Sequence, residues 1–145
     1  MACSMIFCDK TAQFAVPEIQ LGVFPPPACV LLPLKCGEAL ANEMILTGDK
    51  QPAEKLQRLG VVSGVAAKGT LDDVVSQFIE KQILPKSASS LRIANHAARL
   101  GTAEHYRAMI GRLETLYLEK LMSTADAVEG IESFLEKRQP AWTNA

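Results

Sequence analysis

The sequence predicts an α/β chain with a few short strands early and helices dominating the second half. Three observations point there. Up to Ala66, apolar or β-branched runs of strand length stand between turn signals. From Thr70 to Leu135, apolar residues recur every three or four positions. Glycine and proline fall mostly at the ends of these runs rather than inside them.

In chain order, the run from Cys3 to Phe7, bounded by "CDK", predicts a buried strand, and "AQFAV" (12–16) a second one stopped by Pro17. The cluster Pro25, Pro26, Pro27 then feeds a short helix, since proline is tolerated in a first turn. "GEALANEMILTGD" predicts a helix over 37–46 closed by Gly48, with Ala39, Ala41, Met44 and Ile45 as its buried stripe. "PAEKLQRLG" (52–60) predicts a short helix and "VVSGVA" (61–66) a strand. Thr70 is placed to cap a helix whose inner face carries Leu71, Val74, Val75, Phe78 and Ile79. "SASSLRIANHAARLG" predicts a helix ending at Gly101, and 103–122 a long amphipathic one with Tyr106, Met109, Ile110, Leu113, Leu116, Tyr117 and Leu121 on one face. Ser123 or Thr124 caps the last helix, with Val128, Ile131, Phe134 and Leu135, and Pro140 stops it.

The chain has 145 residues, 48% of them hydrophobic and 21% charged, which suits one globular domain able to bury a core without disulfides. Its 15 basic and 16 acidic residues argue against a dedicated nucleic-acid or membrane-surface binder. Cys3, Cys8, Cys29 and Cys36 lack metal-ligand spacing and are expected to be buried, reduced thiols of a cytoplasmic protein. No secretory signal or membrane-spanning run is evident. His96 and His105 lie in helices without partner spacing, and no nucleophile elbow or phosphate loop is present.

One carboxylate stands out. Glu18 sits between Pro17 and Ile19 in the largely apolar stretch "FAVPEIQLGVFPPPACVLLP". Buried there, it would have its charged form disfavoured and could exchange protons near neutrality. On local sequence alone, a surface group at a strand end, or one paired with a lysine, is the commoner case.

The order of the segments "MACSMIFCDKTAQFAVPEIQLGVFP", "GEALANEMILTGD", "AEKLQRLGVV" and "STADAVEGIESFLEKRQPAW" resembles the crotonase superfamily of enoyl-CoA hydratases and isomerases across the whole chain. The resemblance implies the C-terminal part of a crotonase-like ββα spiral. Residues 1–68 would be the end of its core, and 69–145 a helical region that packs subunits into trimers or dimers of trimers. It implies an acyl-CoA thioester as substrate, with no cofactor beyond the coenzyme A that the substrate carries. Such enzymes hold the thioester carbonyl with two backbone N–H groups, an oxyanion hole. Glu18 matches the acid-base glutamate of the family's "PE" step. Phe24, Pro26, Leu118 and Phe134 match positions near the substrate, and Lys137 a basic position near the CoA phosphates or adenine.

The family's second glutamate and both oxyanion donors belong to segments ahead of Met1. The chain is therefore expected to be inactive or incomplete alone and to need a complementary N-terminal half or an oligomer. The alternative is a non-catalytic truncated fragment or oligomerisation domain. Where ordinary hydratases have a glycine-rich stretch that helps hold the catalytic water, this chain has Pro26, Pro27, Ala28 and Cys29. That departure is most similar to hydratases of anaerobic aromatic degradation, which act on cyclic dienoyl-CoA thioesters.

Overall fold

The computed structural model describes residues 3–145. Its elements are β1 (Phe7–Asp9), β2 (Gln13–Phe14), a 3-10 turn (Pro17–Leu21), α1 (Pro26–Cys36), α2 (Glu38–Thr47), β3 (Gln51–Pro52), α3 (Ala53–Arg58), β4 (Gly64–Ala66), α4 (Leu71–Phe78), α5 (Ala88–Thr115) and α6 (Ala125–Leu135). The predicted mixed α/β class holds, with helices prevailing after residue 70. The chain forms two compact units, each discontinuous in sequence. One comprises Ala15–Lys50 with His105–Ala145, the other the segment up to Phe14 with Gln51–Glu104.

In the second unit, β1 pairs in parallel with β4, Phe7 opposite Gly64 and Asp9 opposite Ala66, while β2 pairs antiparallel with β3. Its core is Cys8, Ala53, Leu56, Val61, Val62 and Ala66. Gly64 permits a close approach: a Cβ there would stand 2.8 Å from Cδ1 of Phe7. Phe7 also packs on Phe78 of α4, with ring centroids 4.9 Å apart.

All three expected strands are shorter than their apolar runs. The first lies at Phe7–Asp9 rather than 3–7, since Ser4 and Met5 are exposed and the ladder starts only at Phe7, just after Ile6 O accepts the Ser63 N–H at 2.7 Å. The second shrinks to two residues, because Ala12 O accepts the Ala53 N–H and Pro17 opens the 3-10 turn. In the third, Val61 and Val62 are buried but both donate their N–H to Leu56 O, closing α3, so the ladder starts only at Gly64. Thr70 precedes α4 as expected, yet its hydroxyl donates to Ala67 O at 3.0 Å instead of capping the helix. On α4, Leu71, Val75 and Phe78 are half-buried, whereas Val74 is exposed, as is Ile79 just beyond it. A π-helical turn follows, closed by Leu84 N–H to Ile79 O at 2.9 Å.

The first unit is built from α1, α2, the 3-10 turn, the end of α5 and α6, around Val23, Val30, Leu32, Leu40, Ala41, Met44 and Ala127. α2 runs where expected and ends at Gly48, whose φ of 69° is left-handed. Its buried stripe is Leu40, Ala41 and Met44; Ala39 is exposed and Ile45 half-buried.

The expected break at Gly101 does not occur. α5 continues through it to Thr115, followed by a π-helical turn to Lys120. Gly101 lacks positive φ and has nothing within 4 Å of a built Cβ. It weakens a helix by about 1 kcal/mol without stopping it, because neither a proline nor a left-handed residue follows. Tyr106, Met109, Ile110, Leu113 and Tyr117 are half-buried, in keeping with the predicted face, but Leu116 is exposed. Among the described residues, no helix is long and apolar enough to cross a membrane.

Candidate active site

Glu18 lies in the 3-10 turn, not at the end of a strand. Pro17 occupies the first turn, where its missing N–H costs nothing. Gly22 ends the turn at φ 69°, donating its N–H to Ile19 O at 3.0 Å, and Val23 N–H donates to Glu18 O at 3.2 Å. The residue is half-buried as a whole, but its Oε2 is fully buried and has no hydrogen-bond partner among the described residues. A buried carboxylate oxygen left unpaired is unusual and costly, and such groups cluster where chemistry is done.

The prolines that follow shape the next element. Pro25 stands at the N-cap of α1, with Pro26 and Pro27 in its first turn. A helix start normally leaves about four N–H groups unbonded. Here, positions 25 to 27 carry none, so Ala28 has the only amide hydrogen of that group. Cys29 N–H is engaged with Pro25 O at 3.0 Å. Burial pushes the half-buried Cys29 thiol above its ordinary pKa, and the nearby Glu18 carboxylate pushes it further. Cys8 and Cys36 are raised for the same first reason, burial. Cys3, expected to be buried, is exposed, because the strand begins beyond it.

Phe24 is half-buried and meets Tyr117 edge-to-face, with centroids 5.4 Å apart and planes at 77°. Tyr117, which the sequence marked only as a packing residue, thus braces the segment between Glu18 and α1. Pro26 is half-buried at the first position of α1. Leu118, beside Tyr117, is 66% exposed, and Phe134 on α6 is 64% exposed, so neither is a core residue of this chain. Lys137 caps the end of α6 in the left-handed region, φ 55°, rare for a non-glycine residue. Its N–H bonds Phe134 O at 3.2 Å, and its ammonium has no ion pair among the described residues.

The charged segment at the end of α6 also does more than face solvent. The Arg138 guanidinium grips Glu129 with two nitrogens and bonds Glu136 at 2.6 Å. A cleft of about 620 Å³ lies beside the turn, lined by Ile19, Gln20, Leu121, Asp126 and Trp142 among others. Glu18 does not line it.

The family model for enoyl-CoA hydratase/isomerase matches residues 1–145. The chain belongs to the enoyl-CoA hydratase/isomerase family. Among curated relatives, cyclohexa-1,5-dienecarbonyl-CoA hydratase of Thauera aromatica is 37% identical over 141 residues, covering 97% of this chain and 54% of that protein. Carnitinyl-CoA dehydratase of Proteus mirabilis is 33% identical, covering 98% of this chain and 56% of that protein. Among solved structures, carnitinyl-CoA hydratase from Mycobacterium avium superposes with a TM-score of 0.86 at 26% identity, covering 99% of this chain and 56% of that one. An enoyl-CoA hydratase/isomerase from Pseudoalteromonas atlantica gives 0.82 at 27%, covering 97% and 56%. The chain thus spans about half the length of the family members it matches, corresponding to their C-terminal half.

Proposed function

We propose that this chain is the C-terminal half of a hydratase-type hydro-lyase that adds water across the double bond of an unsaturated, cyclic dienoyl-CoA thioester. Glu18 is its acid-base residue. The observation that carries this reading is the buried, unpartnered Oε2 of Glu18 in a chain matched throughout by hydratases and dehydratases. With no donor holding that oxygen among the described residues, the carboxylate can accept a proton from water attacking the β-carbon, or, as the carboxylic acid, deliver one to the α-carbon.

The oxyanion donors and the second glutamate that the family resemblance implies come from the complementary N-terminal half. No cofactor is required beyond the coenzyme A of the substrate. The proline-rich start of α1 reshapes the substrate pocket around Phe24 and Pro26, since it offers few N–H groups to hold a water. Leu118 and Phe134 cover the CoA chain, and Lys137 serves as a point charge toward its phosphates. The reducing cytoplasm is the setting in which cysteines outside disulfides persist. A second reading, a non-catalytic oligomerisation piece, is favoured by the wide exposure of Leu118, Phe134 and Leu135.

The test is hydration of a cyclic 1,5-dienoyl-CoA and of crotonyl-CoA, by the chain alone and co-expressed with the N-terminal half of the Thauera relative. Activity only with the complement, and higher kcat/KM on the cyclic substrate, is expected. No activity on either substrate in the assembled form, with the partner half bound, would leave the oligomerisation reading standing.

A further inference from the structure

The turn that presents Glu18 packs on one side against α2, where a Cβ built on Gly48 would stand 3.2 Å from Ile19 Cγ2 and from Gln20 Nε2. Its internal bonds, Gly22 N–H to Ile19 O and Val23 N–H to Glu18 O, fix its curl only. Its outer face is taken by α6 and the last residues of the chain. A Cβ built on Gly130 would stand 2.1 Å from Leu21 O, so the helix backbone lies directly on the turn backbone. A Cβ on Gly22 would stand 2.9 Å from Asp126 O and 3.1 Å from Cζ3 of Trp142. The same indole comes within 3.1 Å, at Cη2, of the Cβ position on Gly130. One ring therefore rests on both glycines.

The ring is itself held from both sides. Ala141 N–H donates to Glu129 Oε1 at 2.7 Å. Thr143 donates to Asp126 Oδ1 through its N–H at 2.7 Å and its hydroxyl at 2.8 Å, and Asn144 N–H donates to Asp126 Oδ2 at 2.8 Å. Asp126 and Glu129, three residues apart, share one face of α6. The tail is thus strapped along the helix immediately before and after Trp142.

We propose that Trp142 is a positioning residue for Glu18: strapped to α6 by Asp126 and Glu129, it wedges on Gly22 and Gly130 and presses the Pro17–Leu21 turn against α2, which sets the turn's depth. This rests on the acid-base reading of Glu18 given above. A carboxylate oxygen without a partner has no hydrogen bond to fix it, so its placement comes from the backbone beneath. Misplacing a reacting group by about 1 Å costs about a hundredfold in rate.

The experiment pairs amide hydrogen exchange with steady-state kinetics in the assembled enzyme. Trp142→Ala is expected to speed exchange of the Gly22 and Val23 amides about tenfold or more, leaving that of Leu32 and Met44 unchanged, with kcat falling about tenfold and KM within about twofold. Trp142→Phe restores both. If Trp142→Ala fails to fold, Asp126→Asn, which loosens the strap and keeps the indole, gives the same pattern at smaller amplitude. Unchanged exchange at Gly22 and Val23 overturns the proposal, as does a loss confined to KM. Glu18→Gln separates the two readings: it removes activity and leaves exchange as in wild type. If Trp142→Ala frees the two amides but Glu18→Gln remains fully active, the brace stands and the acid-base reading of Glu18 fails.

Discussion

At residue scale, Glu18 is defined by what its buried oxygen lacks and by the glycines that let other backbone approach its turn. Gly130 is the tightest of these contacts. Any side chain there meets Leu21 O and C at 2.1 and 2.5 Å, and both are backbone atoms that cannot swing aside. Gly130→Ala is therefore expected to destabilise the fold by about 2 kcal/mol or more, since overpacking against immovable atoms lies at or above the usual range. Thermal unfolding of the variant measures this, and a melting temperature equal to wild type would show that α6 does not press on the turn. Glu18 itself was legible as an oddity, a single acid among apolar residues and prolines. That its Oε2 is buried without a partner was not, because that depends on how the 3-10 turn lies in three dimensions.

At element scale, legibility followed local signals. α2 stands within a residue of expectation because Gly48 is a clear stop, and α6 starts after Thr124, one of the two expected caps, but ends at Leu135, well before Pro140. Thr124 Oγ1 accepts the Ala127 N–H at 3.2 Å, as a cap should. The strands shrank and α5 ran through Gly101, because pairing partners and tertiary context override apolar runs and a lone glycine. The C-terminal strap was not legible. "EKRQP" has the composition of a solvated face, and its ion pair from Arg138 to Glu129 links residues nine apart.

The strap has a pH signature. The Arg138 guanidinium first, and the Ala141 N–H next, hold the Glu129 carboxyl from 4.5 down to about 2. Asp126 is likewise lowered, chiefly by the Thr143 N–H. Because the folded pKa lies below the unfolded one, the strap's contribution is complete above 4.5 and fades as pH falls toward about 2. Trp142 is the chain's single tryptophan, so its fluorescence reports the strap alone. A shift in emission is expected on acidification through that window, and Glu129→Gln should already show part of it at neutral pH. A flat profile from pH 5 to 2 would mean the tail is held by something other than these carboxylates.

At the scale of the whole molecule, the chain leaves much apolar surface open. Within the unit that carries Glu18, Leu118, Phe134 and Leu135 are 66%, 64% and 73% exposed. Covering one such side chain fully is worth about 1.5–3 kcal/mol, enough in combination to drive association. Sedimentation of the purified chain is expected to show an oligomer, or a stable complex with a complementary N-terminal half. A monodisperse monomer that melts cooperatively would contradict that expectation. The chain spans about half the length of the relatives it matches.

The central claim, that Glu18 does the proton transfer, is tested most directly by Glu18→Gln in the assembled enzyme. The variant keeps the size and turn geometry of the side chain and removes its basicity. In the variant, kcat for hydration is expected to fall by about 10² or more, the usual worth of a positioned acid-base group, with thioester binding unchanged. Equal kcat in wild type and Glu18→Gln would contradict it and remove this carboxylate from the mechanism.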